Sequence, residues 1–420
     1  MTRRAVLLVA NSAAPYSRGL RVARTLAEAG WAVEIAAVAA DGQPLEEHDG
    51  PVAIRRYSPA GRWLGLAAAW SQRGPRIRYL RKALLWVDRA KKLFLYPIHV
   101  RAWWSTLRRE LPPADLYHAF GILTIAVAAD LARDAKRRGR HGVVVYDVID
   151  VILDSNNVDQ VPRPVLRWYK WRERRWVRRA DAVVTVNDRL ADHLARIWPV
   201  RERPTVLLNA QPRWRPPSPR PDHIREATGI PPERRVVLFL GRLGKERGLE
   251  QAAEAVLALD DAALVMLGFG QWADRLRAKD RDPRHAGRHF TLPPVHPDDV
   301  PAWTASADVT IIAVPANSLN QRLSTPNKFW ESLTAGTPMV LGRDLEVMRE
   351  IVEAEHIGAI ADPADPADLA RALRAILDLP PDAYEAMRAR AMAAADSRYN
   401  WETASAGYRA LADRLVPPAP

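Results

Sequence analysis

The chain has 420 residues, 48% of them hydrophobic, and no cysteine; that length suits two globular domains with separate cores, and the missing thiols exclude disulfides, thiolate catalysis and cysteine-based zinc or iron–sulfur sites. The net charge of +13 lies wholly in the first half, where residues 1–210 carry 36 Lys and Arg against 20 Asp and Glu, while residues 211–420 carry 26 against 29. A field of that sign suits nucleic acid, anionic lipid or an acidic substrate and does not choose among them.

The start, MTRRAVLLVANSAAPYS, has a basic stretch and then a six-residue apolar run. That run is too short for a signal-peptide core and suits a buried first strand. No run approaches the roughly 18 apolar residues of a spanning helix, so a cytoplasmic protein is expected. Residues 5–10 read as that strand, the polar loop Asn11–Gly19 follows, and Leu20, Val22, Ala23, Leu26 and Ala27 recur at helical spacing until Gly30. Trp31 to Ala37 is the next strand. This βαβ opening places a ligand at the carboxyl ends of the strands, at the loop containing Ser17, Arg18 and Gly19. The loop lacks GxGxxG, so a dinucleotide is not implied.

Residues 61–111 hold twelve basic residues and five tryptophans against Asp88 and Glu110. On a helix from about Ile77 to Leu95, Leu80, Leu84, Val87 and Phe94 form an apolar stripe flanked by basic residues. Two readings fit: an interfacial helix on an anionic bilayer, or a core-packing helix with a solvated basic face. A second basic run, Arg163 to Arg179 with Trp168, Trp171 and Trp176, extends the same surface. Asp115 to Ala119 reads as a strand ending near His118. A helix from Ile122 to Ala135 follows, then the strand Val143–Tyr146 and the acidic loop Asp147–Asp150. His118, Asp147 and Asp150 thus come to one sheet edge as candidates for acid–base or hydroxyl-binding work, although His118 also fits a structural strand-end role. Ala182–Val186 and Thr205–Leu208 are further strands, the latter ending at Asn209.

The run QPRWRPPSPRP, Gln211 to Pro221, is a semi-rigid linker and marks the domain boundary. The pattern then restarts: strand Val236–Leu240, the turn Gly241-Arg242-Leu243-Gly244, the cations Lys245 and Arg247, Gly248, and a helix to about Leu259. Strand Ala263–Leu267 ends in Gly268-Phe269-Gly270, and strands follow at Phe290–Leu292 and Val309–Ala313. Leu323 to Val340, LSTPNKFWESLTAGTPMV, is a polar loop feeding a helix closed by Gly336, then a strand. A loop rich in backbone donors at a helix N-terminus can hold a phosphate; Glu331, in the first turns, can accept from paired hydroxyls. The domain runs over 222–395, and the stretch 396–420, with Trp401–Leu415 helical, is expected to pack back across the first domain (1–210). His285 and His289 have metal-like spacing in a segment that reads as loop, and Asp280-Arg281-Asp282 reads as a solvated cluster. There is no Walker loop, HExxH or GxSxG.

With both halves laid out, the chain resembles the retaining glycosyltransferases of GT-B fold usually numbered family 4, two Rossmann-like α/β domains facing across a cleft. The motifs are Gly241-Arg242-Leu243 with Arg247-Gly248, Gly268-Phe269-Gly270, and Pro326-Asn327-Lys328-Phe329-Trp330-Glu331 with Ala335-Gly336-Thr337-Pro338; Arg174–Val186 and Asn209 add to them. The resemblance implies that a nucleotide-sugar lies between the domains. Arg242, Lys245 and Arg247 with Ser324, Thr325, Asn327 and Lys328 would face its diphosphate, Glu331 its ribose, and Gly268, Gly270 and Leu292 its base. Two guanidiniums and a helix N-terminus would stabilise the leaving diphosphate with no metal and no cofactor. The acceptor would be a saccharide or lipid-linked, reached at the inner membrane face. Two positions depart from the family: Leu323 stands where many members have the first Glu of Glu-x7-Glu, and Ile149 where they have an active-site His. Competing readings are a GT-B-fold sugar-nucleotide epimerase and a non-catalytic partner subunit. Nucleic-acid binding is disfavoured, because no module for it is present.

Overall fold

The computed structural model describes residues 2–14, 16–58, 101–159 and 161–418. The expected basic helix Ile77–Leu95 lies outside the described residues. Eight strands form the first sheet: β1 (Arg4–Leu8), β2 (Ala32–Val38), β3 (Glu46–Asp49), β4 (Val52–Tyr57), β5 (Leu116–Phe120), β6 (Val143–Val148), β7 (Ala182–Thr185) and β8 (Thr205–Val206). Their order is β3-β4-β2-β1-β5-β6-β7-β8, parallel except for β3 against β4. β3 reads EEHD, so no apolar alternation announces it. It is held at the sheet edge by cross-strand charge, Arg55 to Glu46, and by Arg24 to Asp49 from the neighbouring helix.

Six strands form the second sheet: β9 (Arg235–Arg242), β10 (Ala262–Phe269), β11 (His289–Leu292), β12 (Val309–Ile312), β13 (Met339–Gly342) and β14 (Gly358–Ala361). The order is β11-β10-β9-β12-β13-β14, parallel throughout. Both sheets read as continuous apolar runs because helices cover both faces. In β1, Val6 and Leu8 feed one core while Ala5 and Leu7 feed the other; in β9, Val237 and Phe239 lie opposite Val236, Leu238 and Leu240. Residues 207–222, which include the proline-rich run, contain neither helix nor strand.

The chain returns to the first domain at its end. Helix Pro381–Ser397 packs on helix Asn327–Thr334, where Arg388 Nε donates to Gly336 O at 3.1 Å. Gly336 has φ +65, and a Cβ there would lie 2.6 Å from Met392 Cγ, so this helix end admits glycine alone. Helix Trp401–Leu415 then lies against the first helix, Ser17–Glu28, with Trp401 Nε1 donating to Thr25 Oγ1 at 2.9 Å. This is the crossing expected of the tail.

Candidate active site

A cavity of about 570 Å³ lies on the first domain and one of about 520 Å³ between the domains. The second joins charge from both domains, Asp150 from the first and Arg242, Lys245 and Arg247 from the second. Its C-terminal wall begins where β9 ends at Arg242 and turns through Lys245 and Arg247. Gly248 allows that turn: its φ is +68, and a Cβ would meet Ala313 O at 1.8 Å. Arg242, Lys245 and Arg247 make no hydrogen bond or ion pair among the described residues. Burial lowers the Arg247 pKa, as does Arg242 beside it, against the pull of Asp150 and Glu246. Cations left unpaired in a concavity make an anion site.

Opposite them begins helix Asn327–Thr334. Pro326 precedes it and among the described residues no side chain caps it; Phe329 N donates to Pro326 O at 3.0 Å, which leaves the N–H groups of Asn327 and Lys328 and the positive end of the helix dipole available to an anion. Ser324, Thr325 and Asn327 line the cavity beside that end, and the buried Thr325 hydroxyl has no partner. Lys328 and Glu331 stand one step back. The Lys328 ammonium lies 3.7 Å over the Phe239 ring, and burial, then Arg247, push it down to about 7 against Glu331. Burial pushes Glu331 up to about 7 against Lys328 and Arg21. The helix is anchored by the fully buried Phe329 and Trp330, the latter donating to Thr325 O at 3.2 Å.

The N-terminal wall corrects three expectations. His118 and Asp147 have no exposed surface. Asp147 accepts from Arg18 Nε at 2.9 Å and Nη2 at 3.0 Å and lies 3.1 Å from His118 Nε2, while His118 Nδ1 is 2.7 Å from the Tyr408 hydroxyl. Burial raises the Asp147 pKa, but Arg18 and His118 outweigh it and the net direction is down. Burial lowers His118 against the pull of Asp147. An ionised carboxylate only accepts, so neutral His118 carries its proton on Nε2, donating to Asp147, and its Nδ1 accepts a hydrogen bond from the Tyr408 hydroxyl. A carboxylate so engaged and fully buried presents no surface to a ligand in the cleft; His118 and Asp147 hold the strand end in place. Ser17, Arg18 and Gly19 are likewise no loop. They open helix Ser17–Glu28, and the Arg18 guanidinium is directed beneath the cleft.

Asp150 does reach the cavity, beside Ile149. Asn320 Oδ1 accepts from Val151 N at 2.8 Å, which turns its Nδ2 to Asp150 Oδ1 at 3.1 Å. Enclosure raises the Asp150 pKa, opposed by Asn320 and Arg247. Gly268, Gly270 and Leu292, expected around a base, do not line the cavity. The glycines instead permit backbone contact, since a Cβ on Gly268 would lie 1.8 Å from Gly241 O. Asp280, read as solvated, holds His289 at 2.6 Å and Thr291 N at 3.1 Å. Among the described residues no group of His, Asp and Glu is arranged to hold a metal.

Sequence reasoning missed the seam between the walls. Besides Asn320, Asn156 Nδ2 donates to Glu246 Oε2 at 3.0 Å, Asn187 Nδ2 to Leu323 O at 2.8 Å, and Asn209 Nδ2 to Asn327 Oδ1 at 2.7 Å. Isolated amides in loops carry no periodic signal that would reveal them.

The comparisons with known proteins agree with this layout. Residues 221–394 match the family Glycosyl transferases group 1, and residues 17–210 match the Glycosyl transferase 4-like domain. The chain belongs to the group 1 glycosyltransferases and has the GT-B fold. No curated protein sequence matches it. Solved structures similar to it include sucrose-phosphate synthase from Thermosynechococcus elongatus, with TM-score 0.71 and 15% identity over 98% of this chain and 99% of that one. Anabaena HepE in complex with UDP superposes with TM-score 0.69 at 14% identity over 98% and 100%. WaaG, a glycosyltransferase involved in lipopolysaccharide biosynthesis, gives 0.61 at 15% over 99% and 100%. At such identities the likeness establishes the fold.

Proposed function

We propose that this glycosyltransferase moves a sugar from a nucleotide-sugar, bound in the interdomain cleft, to a saccharide or lipid-linked acceptor at the cytoplasmic face of the membrane. The observation behind the donor reading is the convergence of three unpaired cations, Arg242, Lys245 and Arg247, with an uncapped helix N-terminus on one cavity. A diphosphate satisfies both. HepE, of the same fold, was solved with UDP and with UDP-glucose. Glu331, on the second turn of that helix and one step back from the cavity lining, would accept from the ribose hydroxyls. Charge that grows on the departing diphosphate would meet donors already oriented toward it, which is where electrostatic catalysis is strongest. The same cations neutralise the diphosphate without a metal ion, so transfer should continue in a chelator. Asp150, exposed in the cleft and oriented by Asn320, would accept from a sugar or acceptor hydroxyl. Retention of configuration follows from the family alone, and NMR of the product anomer decides it.

The membrane part of the reading rests on helix Arg163–Val177. Trp168 and Trp171 are 45% and 55% exposed, and Arg172 lies 4.7 Å from the rings of both Trp168 and Trp176. Exposed indoles among guanidiniums suit an anionic interface. No described helix is long and apolar enough to cross a membrane. Assay of transfer or donor hydrolysis over a panel of nucleotide-sugars tests the function: Arg242→Ala and Glu331→Ala are each expected to lower it about tenfold or more, and full activity in both variants would contradict the proposal.

A further inference from the structure

Arg21, on the first helix, is 6% exposed, yet no carboxylate accepts a hydrogen bond from it. Its Nη1 donates to Gln211 Oε1 at 3.0 Å and its Nη2 to Asn209 Oδ1 at 2.7 Å, while Nε has no partner among the described residues. The guanidinium lies 5.1 Å from the Trp401 ring of the crossing helix, whose backbone N donates to Gln211 O at 2.9 Å. A cation buried among neutral groups is costly. Burial, then neighbouring Arg18, push it down to about 10 against the pull of Glu331. Arg18, one turn earlier on the same helix, shows the ordinary solution, a bidentate pair with Asp147.

Asn209 gives this arrangement a direction. Because Arg21 occupies its Oδ1, its Nδ2 must face the other way, and it donates to Asn327 Oδ1 at 2.7 Å. Asn327 is the first residue of the uncapped helix and lines the cavity. With its Oδ1 engaged, its remaining side-chain polar group is Nδ2, a donor that makes no hydrogen bond among the described residues. An amide oxygen facing the cavity would repel a diphosphate, whereas an amide N–H attracts it.

We propose that Arg21 is a positioning residue for the donor: acting through Asn209, it fixes the Asn327 carboxamide with its N–H, not its oxygen, toward the diphosphate. The inference rests on the donor reading above.

Titration calorimetry with UDP, GDP and ADP, with melting temperatures measured alongside, tests this. Using whichever nucleotide the wild type binds, Asn209→Leu and Arg21→Lys are expected to weaken binding about tenfold, the scale of one hydrogen bond to a charged group. Gln211→Leu removes the other partner of Arg21 but leaves the relay, and its affinity should stay within twofold. A purely structural role would lower melting temperature in all three and leave affinity of the folded protein unchanged. Wild-type affinity in Asn209→Leu, or an equal loss in Gln211→Leu, overturns the inference. Failure of the wild type to bind any of the three nucleotides overturns the donor reading and the inference together. If Arg21→Lys does not fold, the two remaining variants decide.

Discussion

The two walls of the cleft use the same residue types to opposite ends. On the C-terminal wall, Arg242, Lys245 and Arg247 face a cavity with no ion-pair partner among the described residues. On the N-terminal wall, Arg18, Asp147 and His118 consume one another's hydrogen-bonding capacity below the surface. Unpaired charge marks where a ligand belongs, and paired charge marks architecture, even when both sit at the carboxyl ends of parallel strands.

The largest effects should separate the walls. Removing two donor-wall cations, Arg242→Ala with Arg247→Ala, should cost transfer roughly 100- to 1000-fold while the melting temperature stays near that of the wild type. A melting temperature that falls with activity would mean that these cations hold the fold. Asp147→Ala should do the reverse. It strands the buried Arg18 guanidinium, and breaking such a pair costs about 3–5 kcal/mol, read by denaturant unfolding; an unchanged midpoint would show that the network is dispensable.

Glu331 and His118, one behind each wall, have pH dependences of opposite sign. Glu331 titrates at about 7 in the folded chain against 4.5 ordinarily, so the folded state holds the extra proton and stability falls as pH rises through that window. His118 is depressed below its ordinary 6.5, so the unfolded state holds the extra proton and stability rises with pH there. Glu331→Gln should therefore gain melting temperature relative to the wild type between about pH 5 and 7. Parallel profiles would show that burial does not shift this carboxyl.

The smallest effect is at the far end of the network. Tyr408→Phe removes the hydroxyl 2.7 Å from His118 and should cost about 1 kcal/mol. A cost several times larger would mean that Tyr408 fixes the crossing helix by itself.

Much of the fold was legible because buried parallel strands are unbroken apolar runs, as in Val143–Tyr146 and Val236–Leu240. The donor wall was legible because its parts are contiguous: Arg242 to Gly248 in one stretch, Ser324 to Glu331 in another. The N-terminal wall was not. Whether Asp147 faces the cleft or the core depends on Arg18, 129 residues away, and on Tyr408, which reaches His118 across 290 residues. The charged edge strand Glu46–Asp49 has no apolar alternation to betray it, and the amides of the seam have no pattern at all. Gly268 and Gly270 read ambiguously for another reason: backbone packing and ligand approach both require glycine.

The central claim is that the cleft holds a nucleotide-sugar by its diphosphate. A thermal-shift screen of nucleotide-sugars and their parent nucleoside diphosphates tests it directly, because a ligand that binds only the folded state stabilises it by about 2.7 kcal/mol at a hundred times its Kd. At least one nucleotide-sugar and its diphosphate should raise the melting temperature of the wild type and leave that of Arg242→Ala with Arg247→Ala unmoved. No shift with any of them, or an equal shift in the variant, would contradict it.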